Sequence, residues 1–264
     1  YVAVAIGADT VPIVGENRVL AYYGLKLLNE NPRMGMLALM QEHKRKGSMT
    51  ITDVVFTIAP RINAAGRMKH AHNAVRLLIE QDQADALKTA QEIETYNTDR
   101  RAQDQRIAEE ALVQIKTNKE ETRASTVVYH STWHKGVIGI VASRLIETYY
   151  RPTVVFTKSN GVLAASVRSV KGFDVYEALE ACKEHIEQFG GHMYAAGLTL
   201  KEENYQNFKE AFERVVSERI TEEQKTEVLD LDAELDFADI TEGFLKILKQ
   251  FEPFGPENMA PLFY

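Results

Sequence analysis

Residues 125–168 read STVVYHSTWHKGVIGIVASRLIETYYRPTVVFTKSNGVLAASVR, and the texture of this stretch decides the fold class. Ser125 to His130 is β-branched and strand-like, and Val137 to Tyr149 is an apolar helix. Thr153 to Thr157 and Val162 to Val167 are strands again. The alternation continues with Val175 to Phe189 as a helix, Ala195 to Leu200 as a strand and Asn204 to Ile220 as an amphipathic helix. Strands that alternate with helices bury sheet faces under helices, so the expected class is α/β.

Upstream the pattern is different. Tyr1 opens onto the strand-like run Val2-Ala3-Val4-Ala5-Ile6, and a chain that opens in mid-strand without Met reads as a piece of a longer protein. Glu16 to Leu28 reads as a helix, and Asn31-Pro32 starts another, with Asn as cap and Pro in the first turn. Thr50 or Thr52 caps a third helix, ending near Pro60. From Ala71 to Thr117 no Gly or Pro interrupts a helical spacing of Leu77, Leu78, Ala84, Leu87, Ile93, Ile107, Ala111 and Leu112. Its polar middle, Thr95 to Arg106, suits a solvated helix that bridges two domains. The other end of the chain, Glu252-Pro253-Phe254-Gly255-Pro256-Glu257-Asn258, is turn-rich and resembles a linker.

Composition narrows the function classes. No apolar run approaches the roughly 20 residues of a membrane helix. One cysteine, Cys182, excludes an internal disulfide, sits among apolar neighbours and fits a reducing cytoplasm. The net charge of −7 would argue against a polyanionic partner, but it is unevenly spread. Residues 201–264 carry 7 Lys/Arg against 16 Asp/Glu, which leaves 24 basic and 22 acidic residues in the first 200. A basic cleft is compatible with that remainder.

Four segments set small residues beside polar ones. In Gly7-Ala8-Asp9-Thr10-Val11 a carboxylate follows an apolar strand, where α/β folds bind ligands; Asp9 suits Mg²⁺ or Mn²⁺ and equally suits a turn or helix cap. In Pro60-Arg61-Ile62-Asn63-Ala64-Ala65-Gly66-Arg67 the Arg forks and Gly66 suit a phosphate, and also a helix C-cap with solvated Arg. In Ala164-Ala165-Ser166-Val167-Arg168-Ser169 the period of two puts Ser166 and Arg168 on one face, at a site or at an exposed edge. Gly190-Gly191-His192-Met193-Tyr194-Ala195-Ala196-Gly197 reads as a tight loop after a helix, with N–H groups forming an anion nest and His192 donating. A fifth, weaker signal is Trp133-His134-Lys135-Gly136: one Trp beside a basic pair, suited to stacking on a base or to a core. Walker, zinc-ligand, nucleophile-elbow and dinucleotide patterns are missing from the sequence.

In this order the segments resemble the RecJ branch of the DHH phosphoesterase superfamily, over essentially the whole chain. Gly190 to Gly197 resembles the signature of the DHH-associated domain. Trp133 to Leu145, the Arg61 to Arg67 run and the Pro-Phe-Gly-Pro-x-Asn turn resemble RecJ more specifically. The resemblance implies residues 1–72 as the C-terminal part of a DHH domain and 73–118 as a long connector helix. It further implies 119–220 as the smaller DHH-associated α/β domain, and 221–264 as an acidic segment and linker toward a further domain. It implies a metal-dependent 5′→3′ exonuclease of single-stranded DNA in recombination and repair, cytoplasmic, with two Mn²⁺ or Mg²⁺ ions. Asp9 matches the last metal-ligand motif, while the Asp-His-His motif would precede Tyr1. Arg61, Asn63 and Arg67 would hold the DNA backbone. Ser166, Arg168, Gly190, Gly191 and His192 would hold its 5′-phosphate, and Trp133 and His134 are further expected nucleic-acid-binding residues. Helicase or single-strand-binding partners are implied, and no membrane. An oligoribonuclease or cyclic-dinucleotide phosphodiesterase, or a non-catalytic replication scaffold, are the alternative readings.

Overall fold

The computed structural model describes residues 1–42 and 47–264. They form two compact units, Tyr1–Asp99 with Leu229–Tyr264, and Arg100–Val228.

The first unit is helical: α1 (Val2–Ala8), α2 (Gly15–Glu30), α3 (Met34–Glu42), α4 (Ile51–Asp53), α5 (Ala59–Met68), α6 (His72–Ile79) and the first half of α7 (Gln83–Thr117). The expected opening strand is a helix. Ala3, Val4, Ile6 and Gly7 are buried while Val2 is 54% exposed, which is the spacing of one helical face and not a two-residue alternation. A Cβ on Gly7 would lie 2.9 Å from Val54, and one on Gly24 would lie 2.5 Å from Ala3. Small residues thus let α1 press against its neighbours. Asn31 closes α2, and α3 begins two residues beyond Pro32.

Thr50 caps α4, and Asp53 returns the bond to the Thr50 backbone N–H at 2.7 Å. Pro60 does not end this helix. A wide π turn, Val54–Ile58, precedes it and leads directly into α5. That turn displaces the carbonyl that the proline ring would meet, so the chain stays helical through Pro60 to Met68. The core gathers Val4, Leu28, Met36, Leu39, Val54, Ile58 and Leu77 with Ala86, Ala90 and Ile93 of α7.

The expected helix from Ala71 to Thr117 is two helices, broken over residues 80–82, where the Glu80 carboxylate accepts the N–H groups of Gln81 and Asp82. Beyond the break α7 runs 35 residues without interruption. Its polar middle is not uniformly solvated: Asn97 is buried, and Asp104 is 1% exposed.

The end of the chain, read above as a linker, is folded into the first unit. It carries a short helix, Glu242–Leu248, and a turn tied to Ile13. The Ile13 N–H donates to the Pro256 carbonyl at 2.7 Å, and the Arg18 guanidinium donates to the carbonyls of Gln250, Phe251 and Glu252.

The second unit is a five-stranded sheet, β1 (Thr126–Tyr129), β2 (Thr153–Ser159), β3 (Val162–Arg168), β4 (Gln188–His192) and β5 (Ala195–Leu200), in the order β1-β2-β3-β5-β4. β1 and β2 are parallel, joined through α8 (Ile138–Thr148), and the other pairs are antiparallel. One face, with Val154, Phe156, Leu163, Ala165, Val167, Ala196, Leu198 and Leu200, is sealed by α9 (Val175–Ala181) and α10 (Tyr205–Arg219). The expected helix from Val175 to Phe189 ends at Ala181, and Phe189 lies in β4. Cys182 is buried beneath this face, and burial pushes its thiol up to about 11.

Candidate nucleic-acid interface

The opposite face of the sheet is only partly covered. α8 packs over β2 and β3, while β4 and β5 extend beyond it. Register lines up two rows on that face. Ser166 pairs with Gly197, which pairs with Gly190; Arg168 pairs with Ala195, which pairs with His192. Directly paired residues point to the same side, and positions two apart share it. The result is a shallow platform of Gly and Ala bounded by a hydroxyl, a guanidinium and an imidazole.

Its inner wall is the first turn of α8. A Cβ on Gly139 would stand 2.9 Å from the Ser166 hydroxyl and 3.2 Å from the Arg168 guanidinium, so a glycine lets the helix approach both. Arg168 donates to the Ser166 Oγ at 3.2 Å and to the Val167 carbonyl at 2.8 Å, which aims its fork along the strand. Both side chains are half-buried, and His192 is exposed. Gly139 was not among the expected site residues; a glycine in the first turn of an otherwise apolar helix was the available signal.

The diglycine is not a loop nest. Gly190 and Gly191 belong to β4, the edge strand, whose outer row of N–H and C=O groups has no neighbouring strand among the described residues. Gly191 has φ +154, and a Cβ there would fall 2.4 Å from the Ala195 carbonyl oxygen, so no other residue fits without backbone movement.

Trp133 is 3% exposed. Its indole Nε1 donates to Glu110 of α7 at 2.7 Å, and its ring stacks on His130 with centroids 5.8 Å apart. This corrects the stacking role: a buried indole has no face to offer a base. His134 is half-buried and turns the same loop, its Nδ1 accepting the Gly136 N–H at 3.1 Å.

The remaining expected residues lie in the first unit, so the expected site is divided between the two. α5 splits its own donors by face. Arg61 is 8% exposed, donates to the Thr57 carbonyl at 2.6 Å and is ion-paired with Glu94 of α7. Asn63 and Arg67, four positions apart, are exposed on the outer face. Gly66 lies inside the helix, whose C-cap is Lys69. Asp9 is exposed and is the C-cap of α1, its N–H donating to Ala5 at 3.0 Å. Among the described residues no group of three or more His, Cys, Asp or Glu side chains gathers as a metal ion requires. Asp9 alone does not fit a two-ion centre.

Comparison with known proteins follows the same division. Residues 123–218 match the DHHA1 domain, and residues 231–264 match the RecJ OB domain. The single-stranded-DNA-specific exonuclease RecJ of Bacillus subtilis is 34% identical over 97% of this chain and 33% of its own length. That of Dickeya dadantii is 33% identical over 99% of this chain and 47% of its own. RecJ from Thermus thermophilus, solved in complex with Mn²⁺, superposes with a TM-score of 0.88 at 30% identity, covering 99% of this chain and 38% of that one. An exonuclease RecJ bound to manganese gives 0.70 at 31% identity, over 83% of this chain and 54% of that one. The chain spans between a third and about half the length of these relatives.

Proposed function

Because this chain belongs to the RecJ family, we propose that it supplies the strand-holding surface of a single-stranded-DNA-specific exonuclease, and that the platform of the second unit seats the 5′-terminal phosphate. The observation that carries this reading is the pair of sheet rows, Ser166–Gly197–Gly190 and Arg168–Ala195–His192, left uncovered beside Gly139.

A terminal phosphate differs from an internal phosphodiester in its extra negative charge and its third free oxygen. The Arg168 fork binds two oxygens in one plane, and Ser166 Oγ and a His192 ring N–H donate to others. Gly190 and Gly197 carry no side chain to hold the terminal nucleotide away from the sheet. A seat for a 5′-phosphate orients the strand so that its first internucleotide bond follows, which sets a 5′→3′ direction. Asn63 and Arg67 on the outer face of α5 offer donors to backbone phosphates, and His134 belongs to the loop that enters α8. Arg61 acts by holding α5 against α7.

Relatives have been solved with Mn²⁺ or Mg²⁺; such an ion would neutralise charge at a scissile phosphate, and Asp9 would offer it one carboxylate, short of the set that two ions need. The activity belongs to DNA recombination and repair in the cytoplasm.

The test is fluorescence anisotropy with 3′-labelled single strands bearing 5′-phosphate or 5′-hydroxyl. The 264-residue chain is expected to prefer the phosphorylated strand about tenfold, the worth of one charge-assisted contact. Arg168→Ala should flatten that preference. Equal affinities together with an indifferent Arg168→Ala variant would overturn the reading. Cleavage by this chain at any Mn²⁺ concentration is expected to be nil; metal-dependent cleavage abolished by Asp9→Ala would relocate the catalytic residues.

A further inference from the structure

Trp133 is fixed from two sides. Its carbonyl accepts the Thr157 hydroxyl of β2, and its indole N–H donates to Glu110 of α7 at 2.7 Å. The second oxygen of Glu110 accepts from Arg106 at 3.2 Å, which holds the carboxylate in place. The loop that follows is short and internally bonded. The His134 carbonyl accepts the N–H groups of Val137 and Ile138, and the Val137 carbonyl accepts that of Ile140. Six residues after the indole comes Gly139, against Ser166 and Arg168. Between Glu110 on α7 and the wall of the platform there is therefore one side-chain hydrogen bond and a stiff turn.

We propose that Glu110 and Trp133 form a latch that couples occupation of the phosphate seat to helix α7, both acting as positioning residues. The proposal rests on the reading of the platform as a phosphate seat. An anion seated between Ser166, Arg168 and the first turn of α8 bears on both side chains and on the start of that helix. A Cβ at Gly139 would meet the Ser166 hydroxyl and the Arg168 guanidinium, so the start of α8 lies directly beside both side chains. The displacement passes through the His134–Gly136 turn to the indole and is met at Glu110. The neighbouring ties of α7 are spaced along it: Gln114 exchanges two hydrogen bonds with the Tyr129 backbone at 3.0 and 3.1 Å, and Asp104 pairs with Arg144 at 2.8 Å. These hold α7 to β1 and to the middle of α8, and Glu110 holds the loop that leads to the seat.

A core tryptophan with no such role predicts a different outcome. It would change stability on substitution and leave ligand selectivity alone. Trp133 is the one Trp of the chain, so its emission reports the latch directly. The experiment titrates the whole chain with 5′-phosphorylated and 5′-hydroxyl single strands, following both affinity and Trp133 fluorescence. The variants are Glu110→Ala, Glu110→Gln and Trp133→Phe.

The phosphorylated strand is expected to shift or quench the emission, and the hydroxyl strand to leave it nearly unchanged. Glu110→Ala and Trp133→Phe should cut the phosphate preference from about tenfold to under about threefold while affinity for the hydroxyl strand holds within about twofold. Glu110→Gln keeps an acceptor for the indole and should keep the preference. A wild-type chain with no phosphate preference sinks the seat itself. A selective wild type whose Glu110→Ala and Trp133→Phe variants stay equally selective sinks the latch and leaves the seat standing. Should those variants not fold, as circular dichroism would show, the wild-type emission decides: an indole that ignores the phosphorylated strand overturns the latch.

Discussion

α5 and β3 carry almost the same chemistry in sequence, arginines and a polar partner set among Ala and Gly, and the structure uses them differently. On α5 the period of 3.6 turns Arg61 inward, onto Thr57 and Glu94, while Asn63 and Arg67 face outward. On β3 the period of two keeps Ser166 and Arg168 together, at the border of an uncovered face. A helix divides a run of donors between core and surface. A strand assigns them to one side. The same composition thus yields a structural arginine in one unit and two candidate ligand donors in the other.

The sharpest way to break this comparison is to remove the arginines one region at a time. Arg61→Ala strands the Glu94 carboxylate and should cost about 3 kcal/mol in urea unfolding. The double variant Asn63→Ala/Arg67→Ala should stay within about 0.5 kcal/mol of wild type and lower single-strand affinity, with a shallower salt dependence. An Arg61→Ala chain of undiminished stability would remove the distinction between the inner and outer faces of α5.

Gly139→Ala is a smaller perturbation and tests the platform alone. Alanine favours a helix over glycine by up to about 1 kcal/mol, so thermal stability should hold or rise. The added methyl displaces the Ser166 hydroxyl and the Arg168 fork, and preference for a 5′-phosphate should fall about threefold. Unchanged selectivity would mean that α8 does not shape the seat.

The smallest effect concerns Asp104. Burial raises its pKa above the usual carboxylate value of 3.8, against the pull of the Arg144 and Arg100 charges. The folded state therefore holds more protons than the unfolded state between 3.8 and the raised value, and stability falls as pH rises through that window. Asp104→Asn removes the titration. The stability difference, wild type minus variant, should decline from about pH 4 upward and then level, as read from urea melts; parallel profiles would contradict the burial cost.

Several elements were legible because their signals are local. The capping box of Thr50 and Asp53, the long uninterrupted α7 and the strand pair β2–β3 all depend on residues close in sequence. The failures share a cause. Val2 to Ile6 is β-branched enough to suggest a strand, yet its burial follows helical spacing, because Gly7 and Gly24 let α1 sit against helices on two sides. Pro60 suggested a helix end, and a π turn ahead of it absorbed the constraint. The diglycine suggested a loop, and Ala195 to Leu200 recruited it as an edge strand.

By itself the sequence determined the α/β class of the second unit, the presence of a long helix and the set of polar residues from which a site is drawn, since periodicity and composition are carried by neighbours along the chain. Which of those residues are available was decided only by tertiary structure. Arg61 and Trp133 are taken up by Glu94 and Glu110, 33 and 23 positions away, and Gly139 gains its meaning from Ser166, 27 positions on. Burial and partnership are properties of residues brought together by packing, and no local pattern encodes them.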